Sequence, residues 1–267
     1  MRQGAEDLAL ELARRHAARA TFTSIFDDAD AAEAATPDVA FAYEVQDRFV
    51  AELSRSGAQA AGYKVGLTTT RMQQMCGVNE PISGVVLGPR VLRSPASVKT
   101  ADYVRLGLES EMAVRIAPGA GRTGVELQDL PLRHLIDQVC AAFELVEDSG
   151  ADYGRLSAAS IVADNSWNAG LVLGPPIAVG GLAHLRGRRG VLRLNGEAVN
   201  EGMSDEVLGD PLNAVHWLAS HLRRRGRALQ PGQWVSTGAI VPTRFLAAGE
   251  AYAFEIDGLP PVELSVS

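Results

Sequence analysis

The chain has 267 residues, 46% of them apolar and 21% charged, with a formal net charge of −7. That length holds one large domain, or a domain with a helical appendage. The acidic balance argues against nucleic acid as a partner, because phosphate binding wants a basic face. No run approaches the roughly 20 apolar residues of a membrane helix.

The segment Met1 to Asp7 lacks the apolar centre of a secretory signal. The two cysteines, Cys76 and Cys140, have no metal-ligand spacing. Free thiols in a reducing cytoplasm are the simplest expectation.

Residues from about Glu6 to Ala20 read as a helix with Leu8 and Leu12 on one stripe. A looser acidic stretch, Asp27-Asp28-Ala29-Asp30, follows. Thr36-Pro37-Asp38 then predicts a helix start, with a capping hydroxyl, an early proline and an acid against the dipole. That helix carries Val39, Tyr43, Phe49 and Leu53 and ends near Gly57. A helical N-terminal region over 1–60 and a β-rich domain over 61–267 are therefore expected.

From Gly62 onward, short apolar runs alternate with Gly and Pro turns: Gly62 to Gly66, Gly84 to Pro89, and Gly107 to Ile116. Pro131 to Phe143 reads as a helix, with Leu132, Leu135, Ile136, Val139 and Cys140 at helical spacing. Strand-like runs return at Ala169 to Gly174 and at Gly190 to Leu194. Asp210-Pro211 opens a helix carrying Leu212, Val215, Leu218 and Leu222, which Gly226 stops. The segments Trp234 to Gly238 and Ala251 to Ile256 are β again. This irregular mixture is not the βαβα rhythm of a doubly wound fold.

The most informative local feature is Glu109-Ser110-Glu111 within the third of these β runs. Side chains at i and i+2 leave a strand on one face, so the two carboxylates point the same way about 7 Å apart at the backbone. They repel unless a cation or a shared proton lies between them. A divalent ion bound by carboxylate oxygens answers that, and a solvent-facing acidic edge is the plain alternative.

Glu144 lies between bulky apolar residues, Phe143 and Leu145, and a buried carboxylate needs a partner, either a metal or an arginine. Lys64 sits in a short apolar run bounded by glycines. Desolvation would lower its pKa and suit it to proton transfer, unless it extends to solvent. Asp164-Asn165 reads equally as site residues or as a polar turn.

Gly119-Ala120-Gly121-Arg122-Thr123-Gly124 matches a dinucleotide fingerprint. Pro118 precedes it and no good helix follows, so it reads as a glycine-rich hairpin loop. The five histidines are dispersed, and His216 and His221 are five apart, wrong for a metal pair on a helix.

Taken in order, several blocks resemble the 2-oxopent-4-enoate hydratase and 4-oxalocrotonate decarboxylase group of the fumarylacetoacetate hydrolase superfamily. They are Gly62-Tyr63-Lys64-Val65-Gly66-Leu67-Thr68, Gly77-Val78-Asn79-Glu80-Pro81, Glu109-Ser110-Glu111 and Phe143-Glu144-Leu145-Val146. Ala163-Asp164-Asn165, Val207-Leu208-Gly209-Asp210-Pro211 and Leu229 to Gly238 complete the set.

The resemblance implies an α+β fold, with a mixed, strongly curved β-roll core and a helical N-terminal region. It implies Mg²⁺ or Mn²⁺ held by Glu109, Glu111 and Glu144, which makes 61–267 the metal-binding catalytic domain. Lys64 is the expected proton carrier, with Glu80 as a second catalytic candidate, and Asp164, Ser236 and Thr237 are expected substrate contacts. The expected partner is a small 2-oxo acid, with no nucleic acid and no membrane. The chain is expected to form a homo-oligomer, with a neighbouring pathway enzyme as a further partner.

The leading activity is hydration of a 2-hydroxypenta-2,4-dienoate to a 4-hydroxy-2-oxo acid through a metal-stabilised enolate. A decarboxylase of a 2-oxo diacid, or an acylpyruvate hydrolase, is the alternative on the same site. A non-catalytic scaffold comes third. Two departures bear on the choice. Hydratases of the group tend to carry an aspartate after the proline where this chain has Ile82, which looks closer to the decarboxylase side. Near the C-terminus, Gly238-Ala239 stands where Gly-Ser is common.

Overall fold

Two short helices lead into a strongly curled sheet in the computed structural model, which describes residues 4–26, 38–120, 132–182 and 184–267. The acidic stretch at Asp27 to Asp30, the pair Thr36-Pro37 and the end of the glycine loop from Gly121 lie outside the described residues. Helices α1 (Ala5–Ala17) and α2 (Val39–Leu53) pack together. Asp38 caps α2 by accepting from the Ala40 amide at 3.0 Å.

Strand β1 (Ala60–Gly66), helix α3 (Thr70–Met75) and strands β2 (Ile82–Leu87), β3 (Val91–Arg93), β4 (Ala96–Val98) and β5 (Leu106–Ile116) follow. A single helical turn, α4 (Leu132–Leu135), runs directly into β6 (Ile136–Glu147). Next come α5 (Ala158–Ala163), β7 (Asn168–Leu173), β8 (Ile177–Ala178), β9 (Arg189–Leu194) and β10 (Glu197–Met203). Helix α6 (Pro211–Arg224), β11 (Trp234–Phe245), β12 (Ala251–Ile256) and β13 (Leu259–Val266) complete the chain.

The helix expected over Pro131 to Phe143 is the main correction: only Leu132–Leu135 form a helical turn, and from Ile136 the chain is β6. The cause is burial on both faces. From Val139 to Val146 every residue of β6 is buried, so its apolar residues run on without alternation. Such a run satisfies a helical period as readily as a strand between two layers.

The strands form two mixed sheets. The larger runs β2-β1-β11-β5-β6-β7-β3 with β8 added beside β6, and the smaller runs β10-β9-β12-β13-β4. One face of the larger sheet packs on the smaller sheet and on α6, through Leu108, Met112, Phe143, Leu145, Val215, Leu218 and Phe254. Each such side chain contributes about 1.5–3 kcal/mol when fully buried.

The other face turns inward on itself. Val86, Ala113, Cys140, Ala142, Leu171, Leu173 and Trp234 form an apolar floor inside the curl. At the open edges Asn165 bridges back to β2, accepting from the Val85 amide at 2.7 Å and donating to the Val85 carbonyl at 2.9 Å. The mixed, strongly curved β-roll expected from the sequence is therefore the observed fold.

Helices α1, α2 and α5 close over one flank with Leu8, Leu12, Phe49, Ile82, Val146 and Val162 in a separate apolar cluster. One polar contact fastens α1 there: His16 Nε2 lies 2.6 Å from Asp164 Oδ1. Burial alone would lower the His16 pKa, but the bond to Asp164 and its charge outweigh burial and raise it.

Two outcomes are expected. At Gly62 an added Cβ would lie 1.8 Å from the Trp234 carbonyl oxygen, so Gly62→Ala has to push β1 from β11. It should cost about 3 kcal/mol or more in urea unfolding; an unchanged midpoint would deny that close approach. A raised His16 pKa means that the contact stabilises fully below the unfolded value of about 6.5 and fades as pH rises through the folded one. Wild type should therefore exceed His16→Gln in stability at about pH 5.5 and lose the advantage by about pH 9. A pH-independent gap would assign the effect to packing instead.

Candidate metal centre

Period-two alternation decides what enters the roll. Glu109 and Glu111 leave β5 on the inward face, and register sets Glu109 opposite Glu144 of β6. On the far wall Lys64 of β1 pairs in register with Ser236 of β11 and Gly84 of β2, and it points into the same space. One oxygen from each of Glu109, Glu111 and Glu144 falls within 4.8 Å of the others.

Glu111 and Glu144 are completely buried, whereas Glu109 is partly exposed. Lys64 is 4% exposed, and its Nζ lies 3.2 Å from Glu144 Oε1. Burial pushes the Glu111 and Glu144 carboxyls upward, and the neighbouring carboxylates push the same way. Lys64 departs from expectation. Burial favours its neutral form, but the charges of Glu144, Glu109 and Glu111 outweigh burial and raise its pKa. A divalent cation on the same oxygens would take up part of that charge and ease release of the lysine's proton.

The donor set fits such a cation. Glu111 Oε1 and Glu144 Oε2 are buried without a hydrogen-bond partner, while the opposite oxygen of each carboxylate is held by protein. Glu111 Oε2 accepts from Ser236 Oγ at 2.5 Å and from the Gly238 amide at 2.9 Å. Glu144 Oε1 accepts from Asn168 Nδ2 at 3.0 Å, and Glu109 Oε1 from Thr243 Oγ1 at 2.7 Å. Each carboxylate is thus oriented by one oxygen. Glu111 and Glu144 leave the other free for a hard, oxygen-seeking ion.

The remaining expected residues divide. Ser236 reaches the cluster, but by supporting Glu111. Thr237 Oγ1 donates to the Met112 carbonyl at 3.0 Å, so its hydroxyl is taken up in the sheet. Asp164 is taken up by His16. Glu80 sits on the surface against Trp217 Nε1 and Arg224 Nη2, at 3.2 and 3.3 Å, with no bond to the cluster.

Ile82 opens β2 on the inward face, opposite Gly66, and is 2% exposed. A Cβ on Gly66 would lie 3.1 Å from Lys64 Nζ and 3.5 Å from Ile82 Cγ1, so the isoleucine borders the lysine.

Sequence reasoning missed Asn168 and Thr243. Asn168 follows the Asp164-Asn165 block by three residues, and that block was the one available signal for it. Between them Asn165, Ser166 and Trp167 all have positive φ, at 47°, 51° and 58°. Left-handed backbone at three successive non-glycine residues is strained, and such strain collects at functional sites. The Ser166 hydroxyl helps hold it by donating to the Ser83 carbonyl at 2.8 Å. A separate cavity of about 510 Å³ lies outside the roll beneath α1, lined by His16, Arg90, Glu147 and Asp164, and none of the three carboxylates lines it.

Known proteins share this arrangement of chain. A 2-keto-4-pentenoate hydratase of Burkholderia vietnamiensis is 29% identical over 226 residues, covering 84% of this chain and 85% of that protein. A 4-oxalocrotonate decarboxylase of Pseudomonas putida is 28% identical over 228 residues, covering 85% of each. The solved structure of 4-oxalocrotonate decarboxylase from Pseudomonas putida G7, complexed with magnesium and adipate, superposes with a TM-score of 0.87. It is 26% identical and covers 98% of this chain and 97% of that one. Residues 58–267 match the family described as fumarylacetoacetate (FAA) hydrolase C-terminal, and the chain belongs to that family.

Proposed function

We propose that this protein is a divalent-metal-dependent lyase acting on a small 2-oxo acid or its 2-hydroxydienoate form, with hydration as the leading reaction. One observation carries the reading: two fully buried carboxylates keep an unpartnered oxygen each, facing one buried lysine. Glu109, Glu111 and Glu144 would hold the ion, Mg²⁺ first and Mn²⁺ as the alternative, and similarity to a magnesium-complexed protein supports that order. When bound, the ion supplies Lewis-acid polarisation of the 2-oxo group.

The chain's own residues supply the rest. Lys64 holds a proton inside the roll, where water is scarce, and delivers it to the remote carbon of the dienoate as the 2-hydroxy group becomes the ketone. Water then adds across the remaining double bond, its oxygen to C4 and its proton to C3. Asn168, Ser236 and Thr243 fix the orientation of the three carboxylates.

Ile82 favours a second reading. An apolar side chain beside Lys64 provides no acceptor to orient an attacking water. A 2-oxo diacid that loses CO₂ needs no such water; Lys64 would only return a proton to the carbon left behind.

Substitutions test the assignments. Glu109→Gln or Glu144→Gln should lower metal-dependent turnover by about a hundredfold or more while the circular dichroism spectrum stays native. Near-wild-type activity at limiting metal would remove that residue from the ligand set. Lys64→Ala should reduce kcat by about 10²–10⁴ and leave Mg²⁺ binding in place; lost Mg²⁺ binding would make Lys64 a structural support.

The reaction itself is read by ultraviolet absorbance with 2-hydroxypenta-2,4-dienoate, in Mg²⁺, Mn²⁺ and EDTA. Metal-dependent loss of dienoate with formation of 4-hydroxy-2-oxopentanoate is expected. Inert dienoate, with CO₂ released from 2-oxohex-3-enedioate, would establish the decarboxylase instead.

A further inference from the structure

We infer that the outer end of the roll is a subsite for a short uncharged tail of the 2-oxo acid. It discriminates against a terminal carboxylate because the guanidinium placed there, Arg105, is already neutralised by Asp148. The inference rests on the 2-oxo acid reading above.

Among the three acids, it is the Glu109 side that reaches solvent. The floor of the roll is sealed by the apolar cluster around Cys140, Leu171 and Trp234. Glu111 and Glu144 have no solvent exposure, while Glu109 is partly exposed and its partner Thr243 is exposed. A ligand whose polar head meets the carboxylates therefore directs its tail outward past Glu109.

β5 marks the route. Gly107 and Arg105 lie about 7 and 13 Å further out along the chain from Glu109. The inward side of Gly107 is overhung by β11: a Cβ there would lie 3.1 Å from Thr243 Cγ2 and 3.6 Å from Phe245 Cε1. Val146 faces Gly107 across the β5–β6 ladder and is nearly buried. The ring of Phe245 also covers Arg105, with the guanidinium carbon 4.5 Å from its centroid. Glu109, Thr243, Phe245 and Arg105 thus make one continuous wall.

The cation at the end of that wall has no free charge to offer. Arg105 Nε and Nη2 lie 2.7 and 2.5 Å from the two oxygens of Asp148, and Nη2 also donates to the Ala151 carbonyl at 3.1 Å. Asp148 is fully buried and accepts in addition from the Gly150 amide and the Tyr153 hydroxyl, both at 3.0 Å. Withdrawing Arg105 toward a ligand would leave a buried carboxylate short of its counter-charge, which holds the pair closed. A terminal carboxylate drawn there would meet a pair with no net charge to offer it.

Exposed apolar side chains stand beside the pair. Phe245, Val104 and Tyr153 are 43%, 38% and 37% exposed, three of the five exposed large hydrophobic residues among the described ones. Tyr153 belongs to the same locality as the metal centre: burial raises its phenol first, then Asp148, and the charge of Glu109 adds to the rise. Its hydroxyl is taken by Asp148, so it presents ring rather than donor.

The test uses two ligands that the enzyme cannot turn over by either reaction, 2-oxopentanoate and 2-oxohexanedioate, titrated calorimetrically into Mg²⁺-loaded full-length protein. 2-Oxopentanoate should bind at least about tenfold tighter. Asp148→Asn, which releases the Arg105 charge, should narrow the gap by strengthening the diacid. Phe245→Ala, a surface change, should weaken 2-oxopentanoate and spare the diacid. These two variants separate a specificity role from a merely structural one, and the Phe245 variant and the wild-type pair decide the matter if the Asp148 variant does not fold.

Equal or tighter binding of the diacid by wild type overturns the inference. So does a Phe245→Ala protein with both affinities unchanged. Binding of neither ligand in Mg²⁺ would sink the 2-oxo acid reading itself, a result distinct from the other two.

Discussion

Everything in the centre follows from an excess of negative charge placed where water cannot screen it. Three carboxylates and one ammonium share the interior of the roll, leaving a formal charge of −2 among residues that are mostly buried. An isolated pair of buried acids would relieve the repulsion by taking up protons, and the upward push on Glu111 and Glu144 shows that tendency. The protein works against that outcome. It spends hydrogen-bond donors on one oxygen of each acid and leaves Glu111 Oε1 and Glu144 Oε2 bare. A divalent cation cancels the formal charge and satisfies both oxygens at once, which no single proton can do.

Holding such a centre demands rigid walls, and the sheet provides them by being buried on both sides. The face of β5 and β6 opposite the acids is fixed in the main core by Leu108, Met112, Phe143 and Leu145. Shifting either strand by one residue would turn Leu108 or Met112, and Phe143 or Leu145, inward and carry carboxylates into the core, so hydrophobic burial enforces the register that aligns Glu109 with Glu144. The left-handed segment from Asn165 to Trp167 closes the ring of constraints. Its strain, of order 1–3 kcal/mol per residue, is offset by bonds to Val85 and Ser83, and it delivers Asn168 to Glu144.

The sequence disclosed the acids more readily than their supports. Glu109 and Glu111 were legible because strand period alone puts i and i+2 on one face, and Lys64 because glycines bound its run. Glu144 stands out by its apolar neighbours, yet the run leading to it reads as a helix, since a strand buried on both faces carries no alternating signal. Thr237 and Ser236 are adjacent hydroxyls that the strand sends to opposite faces, and only register tells which one meets Glu111. Thr243 and Asn168 were out of reach because partners 134 and 24 residues away define them. Glu80 lies in a block carried by the family resemblance, and the fold turns it to Arg224 and the surface.

The identity of residue 82 and the neutralised Arg105 bear on different stages of the chemistry. Ile82 borders the lysine, and on the proposed reading it bears on whether water can be oriented; Arg105 lies at the far end and there bears on which tail is admitted. Weak binding of a terminal carboxylate does not by itself oppose decarboxylation. A carboxylate drawn into an apolar, uncompensated end is destabilised relative to water, and losing CO₂ removes the charge that the end cannot accommodate. A hydratase built on this chain would accordingly show selectivity for neutral tails in both affinity and turnover. A decarboxylase would show it in affinity and the opposite in turnover, since the ground state it disfavours is the one that reacts. Affinity therefore reports on the walls of the roll, and the ratio of turnover to affinity reports on the reaction performed inside it.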